Sequence, residues 1–225
     1  VNTNGYKRIN SIEIMKLSDD RTEVIGNKIK VDCDCLGISG GWTPRVHLFT
    51  QSGGKLKFRD KDNVFLPDKA SSEQISIGSC NGDFELDEVV KNSKTLVDEF
   101  LNVNNSEYNN LQINCSKETD KKNIWLLPSN RILGKTKPFL DFQNDSTAKD
   151  VKLALREGFK SIEHVKRYTT TGMATDQGKL SNMHALGIIA ETAGVKMGEL
   201  GTTTFRPPYT PLTFGAIVGR NVGEF

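Results

Sequence analysis

Residues 168–182, YTTTGMATDQGKLSN, decide the fold of the second half of the chain. They predict a glycine-containing loop between two helices, because the stretches on either side have helical patterns and capping residues. Ser161 precedes the first helix, IEHVKRYTT, which we expect to end at Gly172. Ser181 precedes the second helix, NMHALGIIAETAG, which we expect to stop at Gly194.

The segment that comes before these helices predicts a third one. FLDFQNDST reads as extended chain and ends at Thr147, whose hydroxyl can cap a helix. Asp150 follows three residues later, as in a capping box, and Gly158 is a plausible stop. The sequence therefore predicts a compact three-helix unit over residues 138–200.

The first part of the chain has the pattern of mixed α/β structure. Residues 8–31 alternate as antiparallel strands, and residues 54–68 read as a small hairpin. The apolar runs at 31–39 and 74–78 predict buried strands, each followed by a glycine-containing turn. An amphipathic helix is expected over about 84–101. A strand, a glycine turn and a helix start can present N–H groups to phosphate or ribose, although local sequence favours an ordinary turn.

Composition excludes several classes of protein. The chain has 225 residues, with 30 Lys and Arg against 28 Asp and Glu, which argues against a dedicated nucleic-acid binder. No apolar run approaches the ~20 residues of a membrane helix, and no charged-then-apolar leader is present, so we expect a cytoplasmic location without membrane contact. Cys33 and Cys35 predict buried reduced thiols, and no cysteine or histidine pair has zinc spacing. We predict no metal site.

Two longer stretches carry a family resemblance. DFQNDSTAKDVKLALREGFKSIEHVKRYTTTGMATDQGKLSN and GTTTFRPPYTPLTFGA resemble the α subunit of heterotetrameric sarcosine oxidase. CDCLGISGGWTPRVHLFTQSGGKLKF and IGSCNGDFELDE resemble the end of that subunit's dinucleotide-binding domain. The resemblance covers most of the chain and is strongest over residues 138–219. It implies an α/β domain of the FAD/NAD(P)-binding type, followed by a small helical module similar to the bacterioferritin-associated ferredoxin.

The resemblance divides the chain into four segments. They are the C-terminal part of a dinucleotide-binding domain (1–101), an Asn-rich linker (102–137), the helical ferredoxin-like module (138–200) and a Pro/Thr-rich segment leading toward a folate-binding domain (201–225). Because no Gly-x-Gly-x-x-Gly turn is found, that fingerprint would lie upstream of the chain.

The ferredoxin-like module lacks the cysteines that would hold a cluster. Related flavin dehydrogenases carry a Cys-x-Cys pair before the first helix and a Cys-x4-Cys pair after the second. In this sequence the first pair falls on Asp141 and Gln143, and the second falls on Asp176 and Ser181. Iron–sulfur clusters need soft thiolates. We therefore predict a module without a cluster that keeps its packing role, in an enzyme whose flavin passes electrons to O₂.

The candidate binding residues come from glycine turns and from the segment TTTFRPPYT. They are Gly40, Gly41, Gly78, Asn81, Thr203, Thr204 and Arg206. The glycines and Asn81 are expected to contact a cofactor through backbone, or else to be simple turn residues. Arg206 suits phosphate because its planar fork can bond two oxygens, although a surface arginine on a structural loop is an equal alternative. We find no acid, base or nucleophile constellation and predict no catalytic residue.

The resemblance also implies cofactors and partners. The α subunit would belong to a complex that oxidatively demethylates sarcosine to glycine, forms peroxide and passes the one-carbon unit to tetrahydrofolate. NAD would bind the α subunit, though not these residues alone, and FMN would lie at the interface with a β subunit that carries the substrate-oxidising flavin. Small subunits would complete the complex. The alternatives are a non-catalytic scaffold that docks a flavoprotein, and the α subunit of a related N-methyl amine or amino-acid dehydrogenase.

Overall fold

The computed structural model describes residues 2–103, 123–128, 136–207 and 209–220. The chain has mixed α/β structure, with antiparallel strands in its first part and a helical module in its second, as the fold class requires. Most of the Asn-rich stretch predicted as a linker lies outside the described residues.

The first sheet is an antiparallel meander. It contains β1 (Asn2–Gly5), β2 (Ile9–Leu17) and β3 (Val24–Asp32), in the order β1-β2-β3. The predicted strands over residues 8–31 are thus confirmed. The turn between β2 and β3 closes with a hydrogen bond of 3.0 Å from the Ser18 amide to the Glu23 carbonyl.

The buried strand predicted over residues 31–39 is wrong beyond its first two residues. Asp32 is the last residue of β3 and pairs with Ser11, near the start of β2. The Cys33 amide makes one more bond, of 3.2 Å, to the Asn10 carbonyl. Since β2 begins at Ile9, the pairing strand ends there and the following residues leave the sheet as irregular chain.

A short helix and a hairpin follow. Helix α1 spans His47–Gln51, and β4 (Lys55–Arg59) pairs antiparallel with β5 (Val64–Lys69). Asn63 takes a left-handed φ of 54° at the hairpin turn, which asparagine tolerates better than most residues. The hairpin is the one predicted over residues 54–68.

The second predicted buried strand, over residues 74–78, is also wrong. Ile75 and Ile77 are exposed, and a short 3₁₀ helix spans Gly78–Asn81 instead. Helix α2 then runs over Leu86–Leu101, close to its predicted range. The segment before α2 forms no ladder with another strand among the described residues, so its apolar alternation produces no strand.

The second part of the chain is the helical module. Its elements are β6 (Phe139–Asp141), β7 (Ser146–Thr147), α3 (Ala148–Arg156), α4 (Ile162–Thr169), α5 (Asn182–Ala193) and α6 (Met197–Leu200). Helix α7 (Phe214–Val218) follows the proline-containing segment. Helix α5 packs against α3, and α3 packs against α4.

The helix ends agree only in part with the sequence. Thr147 and Asp150 form the predicted reciprocal capping box, with the Thr147 amide 2.8 Å from the Asp150 carboxylate. Ser161 and Ser181 occupy N-cap positions but make no capping hydrogen bond. Helix α4 ends at Thr169 rather than at Gly172, and its C-cap, Thr170, takes the left-handed conformation.

One apolar cluster forms the core of the module and reaches the β4–β5 hairpin. Its buried members are Phe65, Leu140, Ala148, Val151, Ala154, Ile162, Val165, Ala185, Leu186, Ile188, Ile189, Ala190 and Met197. No helix within the described ranges is both long and apolar enough to span a bilayer.

Candidate functional site

Asp141 fastens the loop that joins α4 to α5. Its side chain is buried at the end of β6, and its carboxylate accepts three backbone N–H bonds. Two come from the turn just after it, from Gln143 at 2.9 Å and Asn144 at 3.1 Å. The third comes from Gly172 at 2.8 Å, across the module. A carboxylate is well suited to this task because it is an acceptor with about four lone-pair sites.

The other three positions that the resemblance assigns to cysteines also carry oxygen-bearing side chains. Gln143 accepts a 2.8 Å bond from the Thr175 hydroxyl, which is a second link between the β6–β7 turn and the loop. Asp176 accepts the Gly178 amide at 3.0 Å within the loop. The Ser181 hydroxyl is buried without a hydrogen-bond partner among the described residues.

The loop closes tightly around the first residue of α5. A Cβ atom at Gly172 or Gly178 would lie 2.2 Å from side-chain atoms of Asn182, and both glycines have positive φ. Only glycine meets both requirements. In the described part of the chain, no group of three or more His, Cys, Asp or Glu side chains is arranged to hold a metal ion.

The segment that begins at Gly201 is held by helix α4. The Glu163 carboxylate accepts the Thr204 amide at 2.6 Å, and the Lys166 ammonium donates to the Thr204 carbonyl at 3.2 Å. Lys166 is buried, and this desolvation lowers the pKa of its ammonium group, while Glu163 opposes the shift. Its neighbour Arg167, by contrast, is exposed.

A small cleft, with a cavity volume of about 30 Å³, lies where the two parts of the chain meet. Three separate stretches line it, namely residues 43–47, residues 178–186 and residues 202–205, together with Phe65. The cleft thus joins the turn after Gly41, the start of α5 and the Thr-rich segment. Its charged lining residues are Arg45 and Lys179.

Two buried side chains in this cleft have polar atoms without hydrogen-bond partners. His47 and Thr203 are each only 4% exposed. The Thr203 hydroxyl oxygen and both ring nitrogens of His47 are buried, and no hydrogen bond of ordinary geometry reaches them among the described residues. The Gln177 backbone is nevertheless close enough to His47 to raise its pKa. The His47 ring stacks on Phe205, with centroids 3.7 Å apart, and meets Tyr209 edge-on at 5.8 Å.

Electrostatics keep His47 neutral. Burial is the main cause that lowers its pKa to about 4, and the positive charges of Lys179 and Arg45 act in the same direction. The Gln177 backbone and the Asp176 carboxylate oppose the shift more weakly. Burial also lowers the pKa of Lys179, and Arg45 adds to that effect.

Comparison with known proteins identifies the family of the helical module. The family model for the sarcosine oxidase A3 domain matches residues 135–220. The chain is related to the α subunits of sarcosine oxidase. It is 38% identical to the α subunit from Rhizobium meliloti (strain 1021) over 99% of its own length, and 34% identical to that from Corynebacterium sp. (strain P-1) over 98%. It spans 22% and 23% of the length of these two relatives.

A further relative and one solved structure extend the comparison. One of the subunits of opine oxidase from Rhizobium meliloti (strain 1021) is 32% identical over 71 residues, which is 32% of this chain and 16% of that protein. The crystal structure of L-proline dehydrogenase from P. horikoshii matches with a TM-score of 0.59 at 19% identity, covering 97% of this chain and 44% of that one. This likeness shows that the two proteins share a fold.

The seven predicted binding residues lie in different parts of the structure and do not form one site. Gly40 lies beside α5, where its Cβ position would be 3.4 Å from the His184 ring, and the Cβ direction of Gly41 is open. Gly78 and Asn81 belong to the 3₁₀ helix before α2 and do not line the cleft.

The Thr-rich segment divides its roles among its residues. Thr203 lines the cleft and is the one of the seven predicted binding residues that does so. Thr204 uses its backbone to join α4, and Arg206 is exposed outside the cleft. Sequence reasoning missed Arg45, His47 and Lys179 as site residues. The position of Lys179 beside Gly178 was the available signal, and no local pattern singled out the other two.

Proposed function

We propose that this chain is part of the α subunit of a multi-subunit sarcosine oxidase. The observation that carries the proposal is the similarity to three sarcosine oxidase α subunits, at 33–38% identity over 96–99% of the chain. In the proposed complex, which we assign to the cytoplasm, sarcosine is oxidatively demethylated to glycine with formation of peroxide. A folate-binding domain elsewhere in the α subunit would receive the one-carbon unit for transfer to tetrahydrofolate.

The role proposed for these residues is assembly and cofactor binding rather than bond breaking. The β subunit would carry the flavin that oxidises the substrate, and FMN would bind where α and β meet. When bound, that flavin supplies electron transfer to O₂. The A3 domain supports the arrangement through its internal bonds, since Asp141 ties β6 to the α4–α5 loop and Lys166 ties α4 to the Thr-rich segment.

The described residues do not fit a complete NAD site. The turn at Gly78–Asn81 is a 3₁₀ helix, and no strand leads into it, so its amides are not arranged as in a strand–turn–helix phosphate site. The chain also has no Gly-x-Gly-x-x-Gly sequence. NAD binding by the α subunit therefore remains a proposal that needs residues outside this chain.

The absence of a cluster in the A3 domain is a second part of the proposal. Its support is chemical, because oxygen-bearing side chains stand at all four expected cysteine positions and three of them bond to the surrounding loop. Iron and acid-labile sulfide should both be absent from the purified protein. Stoichiometric iron and sulfide would overturn this part while leaving the family assignment intact.

The test of the function uses the assembled complex. The complete α subunit should be co-expressed with the genes that neighbour it, and the purified complex should contain flavin and form peroxide from sarcosine. A complex that binds flavin yet oxidises neither sarcosine nor another N-methyl amine, amino acid or opine, with O₂ or an artificial electron acceptor, would leave only the scaffold alternative. Failure to associate with any flavoprotein would contradict the assembly role.

A specific observation favours a second candidate, a related amine oxidoreductase. The match to the opine oxidase protein has 32% identity, close to the values for the sarcosine oxidase subunits, although it covers only 71 residues. Measuring kcat/KM of the complex for sarcosine, other N-methyl amines and opines separates the candidates. A preference for a substrate other than sarcosine by a factor of ten or more, about 1.4 kcal/mol, would replace the first candidate with the second.

A further inference from the structure

We propose that the Asn182 side chain is a built-in plug, which holds the α4–α5 loop closed where a ferredoxin-like module would hold an iron–sulfur cluster. The inference rests on the proposed absence of a cluster from the A3 domain, and it names the residue that has taken over the task of the cluster. It does not depend on the reaction that the assembled complex performs.

The α4–α5 loop encloses the Asn182 carboxamide. Asn182 is the first residue of α5 and is only 7% exposed, although asparagine is mostly a surface residue. A Cβ atom at Gly172 or at Gly178 would overlap atoms of this carboxamide. The Cβ position of Gly172 would also lie 3.3 Å from the Cα atom of Gly178, so the two glycines are close to each other. The carboxamide therefore fills the space that the two glycines leave open.

The carboxamide acts more by filling space than by hydrogen bonding. Its nitrogen donates to the Gln177 carbonyl at 3.4 Å, which is long for a hydrogen bond. Close contacts on several sides contribute dispersion energy that a void would forfeit. The two cavities that Asn182 lines have volumes of about 30 and 10 Å³, which is room for about one or two water molecules. Neither cavity has room for a cluster of iron and sulfide ions.

The plug lies beside two of the positions that the resemblance assigns to cluster cysteines. Asp141 accepts the Gly172 amide at 2.8 Å, and Asp176 accepts the Gly178 amide at 3.0 Å. These are the two glycines that contact Asn182. The carboxylates thus hold the loop from outside, while the carboxamide supports it from inside.

Ser181, a third of these positions, supports the same interpretation. It directly precedes Asn182 and is only 1% exposed, and its hydroxyl has no hydrogen-bond partner in the part of the chain that the structure describes. Buried hydroxyls are nearly always bonded. The disagreement with a cluster therefore has two parts, because the soft thiolates are missing and the interior of the loop is already filled by the neighbouring residue.

Cluster reconstitution in the full chain tests the plug directly. One variant combines four substitutions, and a second variant adds Asn182→Ala to them. The four are Asp141→Cys, Gln143→Cys, Asp176→Cys and Ser181→Cys. After anaerobic incubation with ferric iron and sulfide, we expect stoichiometric iron and acid-labile sulfide in the second variant and only traces in the first. A cluster in the first variant, or in neither variant, would overturn the inference.

A double-mutant cycle tests the plug without any cysteine. Gly178→Ala adds a collision with Asn182 to the strain of a positive φ of 72°. Gly194→Ala is the matched control, because its φ is 68° and no described atom lies within 4 Å of its Cβ position. Gly178→Ala should lower the urea midpoint more than Gly194→Ala in the wild-type background, and equally in the Asn182→Ala background. An unchanged difference between the two backgrounds would contradict the plug.

Hydrogen exchange then shows whether the plug holds the loop. Asn144→Ala is the matched control for Asn182→Ala, since Asn144 is exposed and donates to the Thr170 carbonyl at 2.9 Å from outside the loop. Exchange at the Gly172 and Gly178 amides should become about tenfold faster in Asn182→Ala and stay within about twofold in Asn144→Ala. Similar rates in the two variants would overturn the inference. Iron in the wild-type protein tests the absence of a cluster separately, so the two proposals fail by different measurements.

Discussion

In the A3 domain, Ile189 of helix α5 is fully buried, whereas Leu101 of helix α2 in the first part of the chain is 59% exposed. Both helices carry apolar residues, but α5 packs against α3 and α6, while the main contacts of α2 are with the 3₁₀ helix at Gly78–Asn81. The first sheet resembles α2 in this respect, because Ile14 and Ile29 are exposed. An apolar pattern therefore specifies an element, and only its neighbours within the chain decide whether the element becomes core.

The largest difference between the two regions should appear on truncation of these two side chains. Ile189→Ala should lower the free energy of unfolding by about 4 kcal/mol, since it removes buried contacts and leaves a cavity. Leu101→Ala should lower it by less than about 1 kcal/mol, because the side chain is already largely in water. Urea unfolding followed by circular dichroism measures both values. Equal losses would mean that α2 is as tightly packed as α5.

Within the A3 domain, the buried carboxylate of Asp141 should contribute more to stability than the exposed amide of Gln143. Asp141→Ala should lower the free energy of unfolding by about 3 kcal/mol, because three backbone amides lose a charged acceptor. Gln143→Ala is the control, since it removes one exposed bond to Thr175 and should change stability by about 0.5 kcal/mol.

Hydrogen exchange at the Gly172 amide gives the local readout for the same pair of variants. Protection should be lost in Asp141→Ala and retained in Gln143→Ala, because only Asp141 accepts that amide. A protected Gly172 amide in Asp141→Ala would show that the loop is held by packing rather than by the carboxylate.

Elements that depend on contacts between neighbouring residues were predicted correctly from the sequence, and elements that need a distant partner were not. The capping box at Thr147, the stop at Gly194 and the β4–β5 hairpin rest on contacts between residues near in sequence, and all three are present. The strands expected at 31–39 and 74–78 fail because an apolar run does not say whether a partner strand exists.

The cleft was still harder to anticipate. Arg45, Lys179 and Thr203 are far apart in the chain, and of the three only Thr203 was a candidate binding residue in the sequence. Their proximity comes from packing of the first part of the chain against the A3 domain. For the same reason the residues predicted at Gly78 and Asn81, which form a turn by local geometry, are not brought to the cleft.

The pH dependence of stability tests whether His47 is buried where the two regions meet. Its pKa is lowered to about 4 in the folded protein, against an ordinary value of 6.5. Between these two pH values the unfolded chain binds more protons at His47 than the folded chain does. The contribution of neutral His47 to the free energy of unfolding is therefore fully present above about pH 6.5 and is lost as the pH falls toward 4. The loss between about pH 7 and about pH 5 should be roughly 2 kcal/mol.

The variant His47→Gln isolates this effect, because glutamine does not titrate. Other groups titrate equally in both proteins, so the difference between wild type and variant should shrink as the pH falls from about 7 to about 5. Urea midpoints at several pH values measure it. Parallel stability curves for the two proteins would mean that His47 is solvated in solution and that the two regions are not closely packed at this point.

The smallest effect concerns two helix starts in the A3 domain that look alike in the sequence. Thr147→Ala should lower the free energy of unfolding by about 1 kcal/mol, because the Thr147 hydroxyl both donates to Asp150 at 2.7 Å and accepts its amide. Ser161→Ala should change it by only a few tenths of a kcal/mol, because Ser161 occupies the N-cap of α4 without a side-chain bond. Both substitutions remove one hydroxyl from a capping position, so differences in helix propensity largely cancel between them. Equal losses in urea unfolding would mean that Ser161 caps α4 in solution, and that the sequence pattern described this helix end better than the observed geometry does.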